Sequence, residues 1–102
     1  MAKRTVVWTE TAARQRREIL KYWTKRNASS IYAEKLIRVT ARNIKIILSH
    51  PHSFKKADYP ETHESAMGHF SVYYKLTTNH LIITAFWDNR QNPKSLHEIL
   101  TK

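Results

Sequence analysis

The 102-residue chain has no cysteine, one glycine and three prolines. Without cysteine there are no disulfides, thiolate zinc sites, iron–sulfur clusters or cysteine nucleophiles, which fits a reducing compartment. One glycine is too few for a phosphate-cradling loop or a dinucleotide-binding fingerprint, since each needs two or more glycines where backbone approaches phosphate. No apolar run approaches the ~18 residues of a membrane-spanning helix. Met1 to Thr11 lacks the apolar centre of a secretory signal, so the expected location is the cytoplasm, with no membrane partner. Acidic residues are also scarce: 8 Asp and Glu stand against 18 Lys and Arg, a net charge of +10 with His neutral.

That excess is lopsided. Met1 to Lys56 holds 14 basic and 3 acidic residues, whereas Ala57 to Lys102 holds 4 basic and 5 acidic. A field of this size favours a polyanionic partner, either nucleic acid or an acidic protein segment, and makes encounter with it salt-dependent. The 41% hydrophobic and 11% aromatic content suffices for one core at this length, so residues 1–102 read as one globular domain.

Thr5-Val6-Val7-Trp8 is short and rich in β-branched residues, and Thr9-Glu10 supplies a helix N-cap and an acidic first turn, so a strand is expected to run into a helix. From Glu10 to about Arg26, Ala12, Ile19, Leu20 and Trp23 share one helical face, while Arg14, Arg17, Lys21 and Lys25 recur opposite. Asn27 is expected to stop this helix and Ser29 or Ser30 to cap a second. In the second helix Ala33, Leu36, Ile37, Thr40, Ile44, Ile47 and Leu48 face inward as far as Ser49, and Lys35, Arg38, Arg42 and Lys45 face outward. The short connection predicts an antiparallel helical hairpin.

After Pro51 the period changes to two. His69, Ser71, Tyr73 and Lys75 alternate with Phe70, Val72, Tyr74 and Leu76, which predicts a strand with one polar and one apolar face. Thr77-Thr78-Asn79 reads as a hairpin loop. His80 to Trp87 reads as a central strand, with Leu81, Ile83 and Ala85 on one face and Ile82 and Phe86 on the other. Asn92-Pro93 starts a short helix burying Leu96, Ile99 and Leu100. Phe54 to Lys56 is expected to be a short edge strand and Tyr59 to Met67 a loop. The predicted fold is α+β: an N-terminal strand, an antiparallel helical hairpin packed on a small antiparallel sheet, and a short C-terminal helix.

His50 and His52 are the only close histidine pair, and they lie two apart in a Pro-containing loop, not at the i, i+4 spacing of two ligands on one helix face. Neither a metal site nor a cofactor is expected. Metal-free RNA cleavage needs a base for the 2′-hydroxyl and cations for the phosphorane. His63, Glu64, His69, Tyr73, Lys75 and Arg90 carry suitable groups; the competing reading makes His69 and Tyr73 ordinary cross-strand residues. Trp87-Asp88-Asn89-Arg90-Gln91-Asn92-Pro93 is the most distinctive stretch, a strand ending in a polar cluster. There Asp88 and Asn92 can bond turn amides, and Arg90 either pairs with Asp88 or points at a phosphate or carboxylate.

The Val6-Val7-Trp8-Thr9-Glu10 opening with Ala12-Ala13, the two amphipathic helices, Pro51, the Phe70 to Lys75 strand and Phe86-Trp87-Asp88-Asn89-Arg90-Gln91-Asn92-Pro93 together resemble the RelE/ParE superfamily of bacterial type II toxins. The resemblance covers nearly the whole chain. It implies a compact growth-inhibiting toxin of the plasmid-stabilisation kind, encoded beside an antitoxin whose acidic, partly disordered segment wraps and blocks it.

Two modes are implied. RelE-like members cut ribosome-bound mRNA with an arginine on the strand matching Phe70 to Leu76, a second arginine after the next strand, and an aromatic or histidine near the C-terminus. Ser71 falls at the first position and Arg90 at the second, while Leu96 stands where the tyrosine is expected, with His97 beside it. ParE-like members lack this set and bind DNA gyrase. The ParE-like reading is favoured, with no catalytic residue; His63, His69, Tyr73, Arg90 and His97 are the candidates if the chain is an endoribonuclease. The residues expected to meet target or antitoxin are Arg14, Arg17, Lys21, Arg38, Arg42, Lys45 and Arg90.

Overall fold

Thr9 joins the first two elements. Its hydroxyl accepts from the Ala12 amide at 3.2 Å, capping the helix, and donates to the Ile83 carbonyl at 3.0 Å, tying the cap to the sheet. The computed structural model describes residues 4–101; Met1 to Lys3 and Lys102, which the single-domain reading includes, lie outside the described residues. Along the chain come β1 (Thr5–Trp8), α1 (Glu10–Asn27), α2 (Ile31–Ser49), β2 (Lys55–Lys56), β3 (His63–Met67), β4 (Phe70–Leu76), β5 (His80–Asp88) and α3 (Pro93–Leu100). The fold is α+β, as the residue patterns predict.

Helix α1 runs through Asn27 and ends at Ala28, whose left-handed backbone (φ 50°) lets its amide reach the Lys25 and Thr24 carbonyls. Ser30 takes the cap position of α2, but it is the Ser29 hydroxyl that accepts from the first free amide, at Ile31, 3.2 Å away. Asn92 caps α3 by accepting from the Lys94 amide at 3.0 Å, with Pro93 at the first helical position.

The sheet order is β1-β5-β4-β3-β2. Strand β1 runs parallel to β5, and the other pairings are antiparallel. The segment expected to be loop, Tyr59 to Met67, instead supplies β3 from His63 onward, because Met67 and Phe70 close a two-residue hairpin over Gly68-His69. Gly68 holds φ +70°, a conformation side chains resist and the one the first position of a tight hairpin turn requires. His69 therefore sits in the turn and is exposed, not on the strand face. Only Lys55–Lys56 of the expected edge strand pairs.

A bulge sets the two faces of the central strand. Tyr73 pairs with Ala85 and Tyr74 with Ile83, leaving Thr84 as the extra residue. Leu81, Ile83 and Phe86 thus share the helix-facing side with Phe70, Val72 and Tyr74, while Ala85 and Trp87 turn to the other side. The strict alternation read from His80 to Trp87 fails at Thr84 for this reason. On the helix side, Ala12, Leu36 and Ile47 close the core, joined by Trp8, Ile19, Leu20 and Trp23. On the far side, Tyr73, Ala85 and Trp87 lie beneath Leu96 and Leu100 of α3. The predicted polar face of β4 is therefore buried, Tyr73 beneath α3 and Ser71 bonded between Glu64 and Asn89.

Candidate functional site

Strand β1 stops opposite Ile83, so Thr84 to Asp88 of β5 have no strand neighbour on that edge. Gln15 of α1 fills the role: its Oε1 accepts from the Phe86 amide at 2.9 Å. Beyond this contact α1 and the end of β5 diverge around a cleft of about 600 Å³, with Ile19, Trp23 and Phe86 among its apolar lining and Tyr22, Arg26, Asp88, Arg90 and Gln91 around them.

Arg90 is held at this cleft from two directions. Its Nε donates to Asp88 Oδ1 at 2.9 Å and its Nη2 to Oδ2 at 2.8 Å, and its own amide also donates to Oδ1. The guanidinium lies over the rings of Trp23, at 5.2 Å, and Phe70, at 5.8 Å, the geometry of a cation on an aromatic face. Both structural expectations for the Asp88–Pro93 stretch hold, since Asp88 and Asn92 each bond turn amides and Arg90 pairs with Asp88. The hydrogen bond from Arg90 holds the Asp88 carboxyl below its ordinary range against the opposing effect of burial, with His69 adding a weaker pull. Arg90 is still about half exposed, so its remaining N–H groups can meet an incoming anion.

The other candidates of a cleavage site are dispersed. Tyr73 and His97 are on the α3 side of the sheet, where Tyr59 stands between them at ring distances of 6.2 and 5.8 Å. Burial first, then Glu64, pushes the Tyr73 phenol well above its ordinary range. Ser71, at the position where a first arginine is expected, is fully buried; it donates to Glu64 at 3.1 Å and accepts from Asn89 at 2.9 Å. His63 lies on the helix side, stacked on Tyr74 at 5.2 Å. Burial, His52 and Lys56 lower its pKa, so it is neutral at neutral pH. His63 pairs with Tyr74, four residues along β4 from the Phe70 that carries Arg90, roughly 13 Å at strand spacing. Of the five candidates, only His69 and Arg90 share the same end of the sheet, with the His69 carbonyl accepting from the Asn89 amide at 2.8 Å.

The six helical cations are all exposed. Arg14, Arg17 and Lys21 project from α1 and Arg38, Arg42 and Lys45 from α2, none within ion-pair distance of a carboxylate among the described residues. They lie on the outside of the helical layer, apart from the Arg90 cleft. Among the described residues no three His, Asp or Glu side chains cluster as metal ligands, and no helix is long and apolar enough to cross a membrane. Sequence reasoning missed Gln15, Trp23 and Phe70 as the partners that shape the cleft; the signal for Trp23 was its place on the inner face of α1 near the strand end.

The architecture belongs to the α+β class in which a helical hairpin covers one face of a small sheet and a terminal helix the other. A solved structure shares it: a chain from the chromosomal ParDE TA system from P. aeruginosa, with a TM-score of 0.70 and 14% sequence identity, covering 82% of this chain and 94% of that one. The likeness is one of fold and agrees with the resemblance in the residue patterns. No protein-family profile matches the chain, and no curated protein matches it.

Proposed function

We propose that this chain is the toxin of a type II toxin–antitoxin system, a single cytoplasmic domain that inhibits growth by binding its target and is neutralised by a co-encoded antitoxin. The observation that carries this reading is the fold shared with a ParDE TA system chain. The favoured mode is ParE-like and non-hydrolytic, with DNA gyrase as target. Supporting it, Ser71 is sealed in the sheet, and the candidate groups for RNA cleavage lie on opposite faces. A base and a charge-stabilising donor must both reach one phosphate. That separation takes His63, Tyr73 and His97 away from Arg90 and leaves His69 alone at its end of the sheet.

In this reading Arg90, on its Trp23 shelf, receives a carboxylate of the antitoxin's acidic segment. The cations of α1 and α2 supply a long-range field that speeds the encounter. Expression without an antitoxin should arrest growth, and purified protein should block gyrase supercoiling without cutting ribosome-bound mRNA. Codon-positioned cuts lost with His69→Ala or His97→Ala would overturn the non-hydrolytic mode. Folded protein that leaves growth untouched would overturn the toxin reading itself.

A further inference from the structure

On α1, Arg14, Arg17, Lys21 and Lys25 recur every three or four residues, and on α2 so do Lys35, Arg38, Arg42 and Lys45. Each row lies diametrically opposite its helix's core face, which holds Ala12, Ile19 and Trp23 in α1 and Leu36, Thr40 and Ile47 in α2. All eight side chains are exposed, and none is ion-paired among the described residues. The rows are each about 15 Å long and ride on packed neighbouring helices, whose axes lie about 8–10 Å apart.

Like charges at these spacings cost helix stability, and a face of mixed sign would serve solubility as well. The three carboxylates of the helices do not neutralise the rows. Glu10 and Glu34 occupy first turns, where the helix dipole favours them, and Glu18 lines the Arg90 cleft.

We propose that this outer face of the helical hairpin binds the sugar–phosphate backbone of double-helical DNA. The cleft is lined by none of the eight cations, and the exposed apolar side chains of α2, Ile31, Ile37 and Ile46, stand six and nine positions apart along the helix, too scattered for the contiguous apolar patch on which a protein partner depends. Single strands are held by aromatic stacking, and the rows contain no aromatic; Tyr22, next to Lys21, is turned edge-on to Trp23 in the cleft. Duplex RNA is read largely through its 2′-hydroxyls by polar groups in a shallow groove, whereas long cations alone match a phosphate backbone. Two rows on neighbouring helices fit a stiff duplex. The face is separate from the Arg90 cleft, and the proposal holds whatever the toxin's target.

The test is fluorescence anisotropy of the full chain with a labelled, random-sequence DNA duplex of 20 base pairs. With six of the eight cations on phosphates, affinity should fall about 10³-fold between 50 and 200 mM salt. In the triple variant Arg38→Glu, Arg42→Glu, Lys45→Glu, the log–log salt slope should shrink by about 3. Arg42→Glu should weaken binding while Lys94→Glu, the same charge change on α3 across the sheet, should not. Circular dichroism confirms that each variant is folded. No binding at 50 mM salt, equal loss in Arg42→Glu and Lys94→Glu, tighter binding of an RNA duplex, or displacement by polyglutamate at equal charge would each overturn it. Growth arrest with no duplex binding would sink this proposal alone and leave the toxin reading in place.

Discussion

Arg90 and Asp88 meet as a two-pronged ion pair, Nε to Oδ1 at 2.9 Å and Nη2 to Oδ2 at 2.8 Å, with the guanidinium laid over Trp23. The pair turns a strand end into a fixed cation. Asp88 is well covered, while Arg90 faces the cleft, so the carboxylate positions and the arginine is free to bind.

Asp88→Asn should therefore loosen Arg90 and destabilise the fold at neutral pH. The Asp88 pKa is depressed in the folded state, so its contribution is present above the unfolded carboxylate value, near 4, and is lost as pH falls through the lower folded one. Urea unfolding of both proteins at pH 7 and at pH 3 checks this: the gap seen at pH 7 should narrow at pH 3. A gap that widens on acidification would contradict the pairing.

Phe86 and Trp87 anchor different faces of the same strand, each buried. Phe86→Ala should cost ~3–5 kcal/mol, a large share of the stability of a domain this size. Leu96→Ala, beneath which Trp87 lies, should cost ~2–5 kcal/mol. Melting temperatures unchanged in both would refute the two-sided core.

The bulge at Thr84 carries a less obvious consequence. Removing the extra residue leaves Ile83, Ala85, Phe86 and Trp87 on the faces they already occupy, since alternation resumes without it. Deletion of Thr84 should keep cooperative unfolding and cost less than Phe86→Ala. Insertion of one alanine between Ala85 and Phe86 moves Phe86 and Trp87 to the wrong faces and should abolish folding, as read by circular dichroism.

Two of the five tyrosines should ionise late. Burial pushes Tyr74 up to about 12, and burial with Glu64 raises Tyr73 further. Because both phenols are raised above the unfolded value near 10, the stability they contribute is full below that pH and is lost as pH rises above it. Absorbance titration at 295 nm should show two phenols that ionise well above pH 10. Glu64→Gln should bring Tyr73 partway down, burial keeping the rest. Five phenols titrating together near pH 10 in folded protein would rule this out.

Helices were the most legible elements, because most places on α1 and α2 follow from a 3.6 period that needs no partner to define it; Ile37, expected to face inward, is instead exposed. Thr9 and Asn92 act locally as caps, and Asp88 reaches only two residues to Arg90, so these too could be read from neighbours in the chain. Strand β3 could not. His63 to Met67 has no strong apolar alternation, and it pairs only because Gly68 turns the chain back on β4.

The sequence by itself determined the α+β class, the two basic rows and the Asp88–Arg90 turn, all of which depend on contacts within a few residues. Only the tertiary structure decided that Ser71 and Tyr73 are buried, that Ile83 and Phe86 share a face, and that Arg90 shares its cleft with Trp23 while His97 and Tyr73 lie across the sheet. Those outcomes rest on α3 folding over one face, α1 packing on the other and one bulged residue shifting the phase between them, and no local period records how distant elements meet.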